Sequence, residues 1–246
     1  MIDKELYERW QAALELNKSQ QKSGGIGTLS EKPVHAIIKY TVEPNDSYHE
    51  VRIGSQVADV VTEQGIVEVQ TRSFFSTKKK LEALLKKGPV RLIHPIAAKK
   101  WLCWVDEESG EVSAPKRSPK AGKPLDSFME LMYLRDYLLH PNFTLELWML
   151  ELEEYRFLNG YGSDRKKRAT RYQQVPLDLL DIVTCKSKED YLSMLPEMPE
   201  TFTRKQLKEA AKRSDSWTQR TLYTLEQIGA IERCGKEGRT ILYKKA

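Results

Sequence analysis

Apolar residues recur at helical spacing near the start of the chain, where Leu6, Trp10, Ala13 and Leu14 share one stripe of residues 3–16. The polar, Gly-containing stretch 18–28 predicts a loop. A second helix is expected behind it, capped by Ser30 with Pro33 in its first turn. Its apolar face is Val34, Ile37 and Ile38, and its polar face is Glu31, His35 and Lys39, spaced by four. The period then changes to two. Residues 49–53, 56–62 and 66–71 read as three short strands, the last two flanking a turn. A basic helix is expected over 77–87, capped by Ser76 or Thr77 and stopped by Gly88-Pro89.

Strands are expected at 90–96 and 100–105, a basic loop at 115–124 and a helix at 125–139. Residues 144–158 fit a strand or a helix, and 163–171 reads as a second basic loop. Most of 106–187 carries no firmer assignment than an extension of the core. Near the C-terminus, helices are expected over 188–195, 201–213 and 214–229, followed by strands 230–234 and 239–244 around the turn 235–238. These elements divide the chain into an α/β domain, 1–187, and a small C-terminal domain, 188–246.

Composition narrows the class. With 246 residues and 40% hydrophobic content, the chain can bury a core without disulfides. Its three cysteines, Cys103, Cys185 and Cys234, lie far apart with no metal-type spacing. No apolar run approaches the ~18 residues of a membrane span, and the start is charged, so a soluble, cytoplasmic protein is expected without a membrane partner. The net charge of +5 is uneven: residues 201–246 hold 11 Lys and Arg against 5 Asp and Glu, so the C-terminal module is +6 and the rest is −1. That asymmetry points to a polyanion such as DNA.

The chemistry concentrates on one hairpin. If Gln64-Gly65 is a two-residue loop, with Gly65 at positive φ, then Val61 faces Glu68 and Asp59 faces Gln70. Alternation places Asp59, Glu68 and Gln70 on one face and Val60, Val67 and Val69 in the core. Asp59 and Glu68 become diagonal neighbours. Two carboxylates in an apolar hairpin repel each other and resist burial, which a divalent cation relieves. Mg²⁺ suits such a site, because it takes one or two carboxylates and completes its shell with water and phosphate.

A glutamate-bearing helix, strands carrying Asp59 and Glu68-Val69-Gln70, then a helix and further strands resemble the PD-(D/E)xK nuclease superfamily over roughly residues 30–105. The resemblance implies a restriction-endonuclease-like mixed β-sheet flanked by helices. It implies a metal-dependent DNA endonuclease, with Asp59 and Glu68 as ligands to Mg²⁺ or Mn²⁺ and Glu31 as an assisting helix carboxylate. Gln70 stands where the family commonly has lysine, so it could orient water but carries no charge. Lys39, Lys78 or Arg72 could supply the missing charge, whereas the lysines 78–80 otherwise read as a solvated helix face. Ala58 precedes Asp59 where the family often has proline. His35 shares a helix face with Glu31 and could approach the metal site, but reads first as solvent-facing; His94 reads as a core or strand-end residue, Glu50 as at most a supporting residue, and Trp101 and Trp104 as core.

The C-terminal module resembles a winged helix-turn-helix. That resemblance implies DNA contact through Ser216, Thr218, Gln219, Arg220 and Tyr223 of its second helix, and phosphate contact through Lys236 and Arg239 in the wing. The basic loops 116–123 and 165–171 are further phosphate clamps in this reading. A homodimer or a larger complex is compatible with it. Two alternatives stand beside it: an inactive nuclease-like DNA-binding or regulatory protein, and an interaction subunit of a DNA defence or repair complex.

Overall fold

The structure, a computed structural model, describes residues 2–24, 32–157, 159 and 170–246. The first helix, α1, spans Lys4–Gly24, so it runs on through part of the expected loop. A polar run of Lys, Ser and Gln ends a stripe without ending a helix. Ser30 and Glu31 lie outside the described residues. Helix α2 spans Pro33–Val42, with Pro33 in its first turn, and Lys32 occupies the N-cap position without a side-chain hydrogen bond. Its predicted face is buried, with Val34, Ile37 and Ile38 each at most 6% exposed.

Strands β1 (His49–Ile53), β2 (Gln56–Thr62) and β3 (Gly65–Val69) follow, then α3 (Phe74–Leu85). Ser73 caps α3 by accepting the Phe75 N–H, three residues before the expected cap. The two strands expected after it are one, β4 (Val90–Val105), with an irregularity between Ala97 and Lys99. Lys116–Arg117 pair with it as β5.

The helix expected over 125–139 breaks into a 3₁₀ turn at Pro124–Ser127, a single α-turn α4 at Phe128–Leu131 and another 3₁₀ turn at Met132–Leu134. The ambiguous segment is strand β6 (Phe143–Phe157), and an unforeseen strand, β7 (Thr170–Cys185), pairs with it. The last elements are α5 (Lys188–Ser193), β8 (Thr201–Thr203), α6 (Arg204–Ala211), α7 (Asp215–Gln227), β9 (Ile231–Glu237) and β10 (Thr240–Lys245). Thr201–Thr203 is therefore strand rather than helix, and Thr203 caps α6 through a reciprocal pair with Gln206.

The principal sheet has seven strands in the order β1-β2-β3-β4-β6-β7, with β5 attached to β4. It is mixed: β3–β4 and β4–β6 are parallel, and β1–β2, β2–β3 and β6–β7 are antiparallel. Helix α3 makes the crossover between β3 and β4, as a parallel pair requires. Helices α1 and α2 cover a core of Trp10, Ile37, Ile38, Val60, Val67, Val69, Ile93, Trp148 and Leu150. Helix α3 and the 124–134 turns cover a second one, containing Phe74, Leu81, Leu84, Leu92, Phe128 and Leu145, that runs without a break into the C-terminal helices. Among the described residues, no helix is long and apolar enough to cross a membrane.

Strand β7 is an edge strand whose pairing with β6 shifts three times, leaving Tyr172, Leu177 and Leu180 outside the register. At the other end of the chain, β8-β10-β9 form a three-stranded sheet against α5, α6 and α7. Helix α7 docks on the 124–134 turns. Trp217 Nε1 donates to the Leu125 carbonyl (2.8 Å), and the Phe128 and Trp217 rings meet edge to face. Arg213 pairs with Asp126 (2.7 Å), and Arg220 donates to the Met129 carbonyl (2.8 Å).

The β2–β3 hairpin differs from expectation in its turn. The loop is Glu63-Gln64, and the register pairs Thr62 with Gly65, Val61 with Ile66 and Val60 with Val67. The Thr62 hydroxyl accepts the Gln64 N–H (3.2 Å), which closes the turn one residue earlier. Gly65 does sit at positive φ, +126°, as the first residue of β3. A Cβ there would lie 2.6 Å from the Pro89 carbonyl oxygen. Gly65→Ala is therefore expected to destabilise the protein by about 2–3 kcal/mol, from the backbone conformation and the clash together, read as a lower urea midpoint at an unchanged slope.

Candidate active site

The register moves by two residues relative to the expected one, and a shift of two keeps every side chain on its face. Val60, Val67 and Val69 still enter the core beneath α1 and α2. The next pair in register after Val60 and Val67 is Asp59 and Glu68, so the carboxylates stand directly opposite rather than diagonal. The backbone ladder gives way here to the side chains. The Asp59 N–H donates to Glu68 Oε1 (3.2 Å), and the Val69 N–H donates to Asp59 Oδ2 (2.8 Å). Each acid is thereby fixed by the backbone of the opposite strand.

Lys80 completes the arrangement. Its Nζ lies 2.5 Å from Glu68 Oε2 and 3.6 Å from Asp59 Oδ1. Sequence reasoning placed the charge elsewhere. Lys39 is buried and pairs with Glu50 (2.6 Å), Lys78 pairs with Asp136 (2.8 Å), and Arg72 is exposed beyond the strand. The signal for Lys80 was present: Thr77, Leu81 and Leu84 form the buried stripe of α3, and position 80 falls on it. Reading 78–80 as one solvated block hid that.

His35 is not solvent-facing. Its Nε2 lies 3.2 Å from Asp59 Oδ2, with the side chains 21% and 14% exposed. Glu31 lies outside the described residues. Gln70 follows the end of β3. Its carboxamide nitrogen donates to the Ser73 carbonyl (2.6 Å) and lies 3.3 Å from Ser76 Oγ, while its backbone carbonyl accepts from His94 Nδ1 (2.6 Å). Gln70 thus ties β3 to the first turn of α3, the helix that carries Lys80. Glu130 caps the same turn by accepting the Phe74 N–H (2.9 Å) and the Ser73 hydroxyl (3.1 Å).

The two acids are electrostatically unlike. Burial, and then the neighbouring Asp59, push Glu68 up to about 7, and Lys80 only partly offsets them. Burial also raises Asp59, but His35, the Val69 N–H and Lys80 together outweigh it and hold that carboxyl below its ordinary value. Burial pushes the His94 imidazole down, in keeping with a strand residue that packs its ring edge against Phe74.

Among the described residues, no three His, Cys, Asp or Glu side chains form a group that could hold a metal ion by themselves. The donor set still suits a cation that shares two carboxylates and takes the rest of its shell from water and substrate. The Lys80 ammonium stands in for such a cation, bridging Glu68 Oε2 and Asp59 Oδ1. Asp59 and Glu68 are the residues that would hold a metal here.

The C-terminal candidates divide. Ser216, Gln219, Tyr223, Lys236 and Arg239 are exposed. Thr218 is fully buried, its hydroxyl donating to the Ser214 carbonyl (2.9 Å). Arg220 turns to the Met129 carbonyl and lies over the Tyr133 ring. Docking explains Arg220: the face of α7 that carries Trp217 and Arg220 is taken up by the 124–134 turns. Trp101 and Trp104 are half-buried rather than core, and the Trp101 indole N–H donates to Glu151 (2.6 Å). Of the two basic loops, 160–169 lies outside the described residues. Cys103 and Cys185 are buried free thiols, and Cys234 is an exposed one.

No solved structure matches the chain. An uncharacterized protein of Treponema pallidum (strain Nichols) is 27% identical over 228 residues, covering 89% of this chain and 87% of that protein. Residues 32–186, which include β1 to β7 and the Asp59–Glu68–Lys80 cluster, match the family described as a domain of unknown function (DUF8091), and the chain belongs to that family.

Proposed function

We propose that the protein is a metal-dependent DNA endonuclease with a restriction-endonuclease-like core (1–187) and a C-terminal winged helix (188–246). One observation carries the reading: two buried carboxylates on facing strands, Asp59 and Glu68, share one lysine, Lys80. Structural ion pairs have no use for a second buried acid that raises the first, whereas phosphodiester hydrolysis uses acid, acid and lysine together. Asp59 and Glu68 would hold Mg²⁺ or Mn²⁺, which when bound polarises the scissile phosphate and acidifies a water. Lys80 offsets the negative charge of the approaching phosphate. His35 fixes the Asp59 carboxylate, and Gln70 positions water while holding α3 in place. In the winged helix, Ser216, Gln219 and Tyr223 meet the groove, and Lys236 and Arg239 meet phosphates. The protein works on DNA in the cytoplasm, as a homodimer or within a larger complex.

The test is cleavage of duplex, branched and single-stranded DNA by the purified full chain in Mn²⁺. Asp59→Asn and Glu68→Gln are each expected to lower the rate by about 100-fold or more, because each removes a ligand needed in the transition state. A wild type that cleaves none of these, or a double variant that cleaves equally well, overturns the reading.

One observation favours a second reading, an inactive DNA-binding relative. Asp59 Oδ2 and Glu68 Oε1 are already engaged by backbone N–H groups, and Lys80 faces the other two oxygens. Calorimetric titration with Mn²⁺ separates the two: heat that depends on Asp59 belongs to the first, and no heat to the second.

A further inference from the structure

The three longest strands, β4, β6 and β7, run on together to Val105, Phe157 and Thr170, and a second polar cluster lies at that end. Its centre is Glu154, which is wholly buried. Lys100 approaches it at 3.3 Å, Arg171 Nε at 3.2 Å and Gln174 Nε2 at 2.8 Å, and Arg156 makes a close two-nitrogen contact. One carboxylate therefore fixes three cations. The Arg171 side chain is 60% exposed, against 14% for Lys100 and 21% for Arg156.

The excess of positive charge continues toward the candidate active site. Helix α2, which Lys32 precedes, packs against β7, the strand of Arg171, and burial and then repulsion from Arg72 and Arg171 hold the Lys32 ammonium below the ordinary lysine value. Lys32 precedes the first turn of α2, and His35 of that turn reaches Asp59. Arg72 follows Gln70 by two residues. The cations thus form a track from Glu154 through Arg171 to Lys32 and Arg72, beside the carboxylate pair. Glu154 orders the track rather than cancelling it: three cations around one acid leave a surplus of two. A like-charge line of this kind costs stability unless something anionic lies along it.

From this juxtaposition we infer that Lys100, Arg156, Arg171, Lys32 and Arg72 form a binding surface for the phosphodiester backbone of a nucleic-acid duplex, leading it to the Asp59–Glu68 pair. The choice of a nucleic acid over other polyanions rests on the endonuclease reading. A further feature favours it: three of the cations are guanidiniums, whose planar fork suits phosphate oxygens.

The test measures equilibrium binding of a fluorescent 30-base-pair duplex to the full chain in EDTA, where no cleavage occurs. The variant is Lys32→Ala with Arg72→Ala and Arg171→Ala, which leaves Lys100 and Arg156 on Glu154. Lys79→Ala with Lys86→Ala and Lys87→Ala, three exposed lysines of α3 and its end, is the matched control. The track variant is expected to bind at least tenfold more weakly at 0.1 M salt, with the slope of log affinity against log salt reduced by up to about 3, while the control stays within about threefold of wild type. Arg171→Gln alone, expected to lose about threefold, keeps the test open if the triple variant melts early.

Equal losses in the control and the track variant, or no loss in the track variant, overturn the proposal and leave the endonuclease reading intact. Track-dependent binding by a protein that never cleaves in Mn²⁺ upholds the proposal and removes the endonuclease reading. Track-dependent binding to anionic vesicles of phosphatidylserine and phosphatidylcholine, with none to the duplex, overturns it in favour of a membrane surface.

Discussion

Lys80→Met is expected to destabilise the metal-free protein by about 3 kcal/mol at pH 8 and by less than about 1 kcal/mol at pH 5. The asymmetry follows from Glu68. At pH 8 the wild-type carboxylate is ionised and its charge is met by Lys80 at 2.5 Å. Methionine keeps the length and apolar stem of the side chain but leaves a buried carboxylate facing Asp59, which must take up a proton or remain uncompensated. At pH 5, Glu68, pushed up to about 7, is already protonated in the folded protein, so little is lost.

The wild type carries the same signature by itself. A carboxyl whose folded value lies above its unfolded value binds more protons when folded. Its contribution to stability is therefore present at low pH and declines as pH rises from about 4.5 to about 7. Asp59 acts in the opposite sense and in another window: its value is lowered below 3.8, so the stability that it contributes is lost only as pH falls through that lower range. Urea unfolding of the wild type and Lys80→Met in EDTA at pH 5 and pH 8 measures the Glu68 effect, and a further series below pH 4 measures that of Asp59. Equal losses for Lys80→Met at the two pH values would mean that Lys80 acts through packing rather than charge.

Trp217→Ala is expected to lower stability by about 4 kcal/mol and to split unfolding into two steps. Trp217 is 2% exposed, so the change removes one of the larger buried side chains between α7 and the turns at Leu125 and Phe128. It also takes the indole N–H from the Leu125 carbonyl. With the anchor gone, Arg213–Asp126, the Arg220 contact with the Met129 carbonyl, the Tyr191 hydroxyl on the Leu138 carbonyl and the rest of the apolar cluster still hold the C-terminal helices. Limited proteolysis should then cut near the 195–200 connection before either part is digested. A single transition with wild-type cleavage kinetics would show that α5 and the continuous apolar cluster hold the two parts without this residue.

How much of this was written in the chain depends on what competes with periodicity. The hairpin strands were legible because residues 56–62 and 66–71 are rich in β-branched residues and flank a turn. The turn was not, because Thr62 supplies a side-chain hydrogen bond where Gly65 was the more conspicuous residue. The faces survived, since an error of two residues is silent in a period of two. Residues 125–139 look helical by composition but break into short turns, because their apolar residues face α3 on one side and α7 on the other. Strand β7 was hidden by its irregularities, which interrupt the alternation at each shift and place Pro176 within it. Lys80 was hidden by its neighbours: in a run of three lysines, only the geometry of α3 shows which one turns inward.

The three residues that drop out of the β7 register also bear on how the protein lives with its own copies. Among the described residues the 16-residue β7 pairs on one side only, so it offers an edge to any passing strand. The shifts at Tyr172, Leu177 and Leu180 cut that edge so that its longest unbroken stretch is the five residues 181–185. An incoming chain can therefore zip along β7 only briefly before it meets a kink. The same three side chains are also among the exposed large apolar residues of the protein. Straightening the strand by deleting Leu177 and Leu180 would turn a self-limiting border into a seed for fibrils.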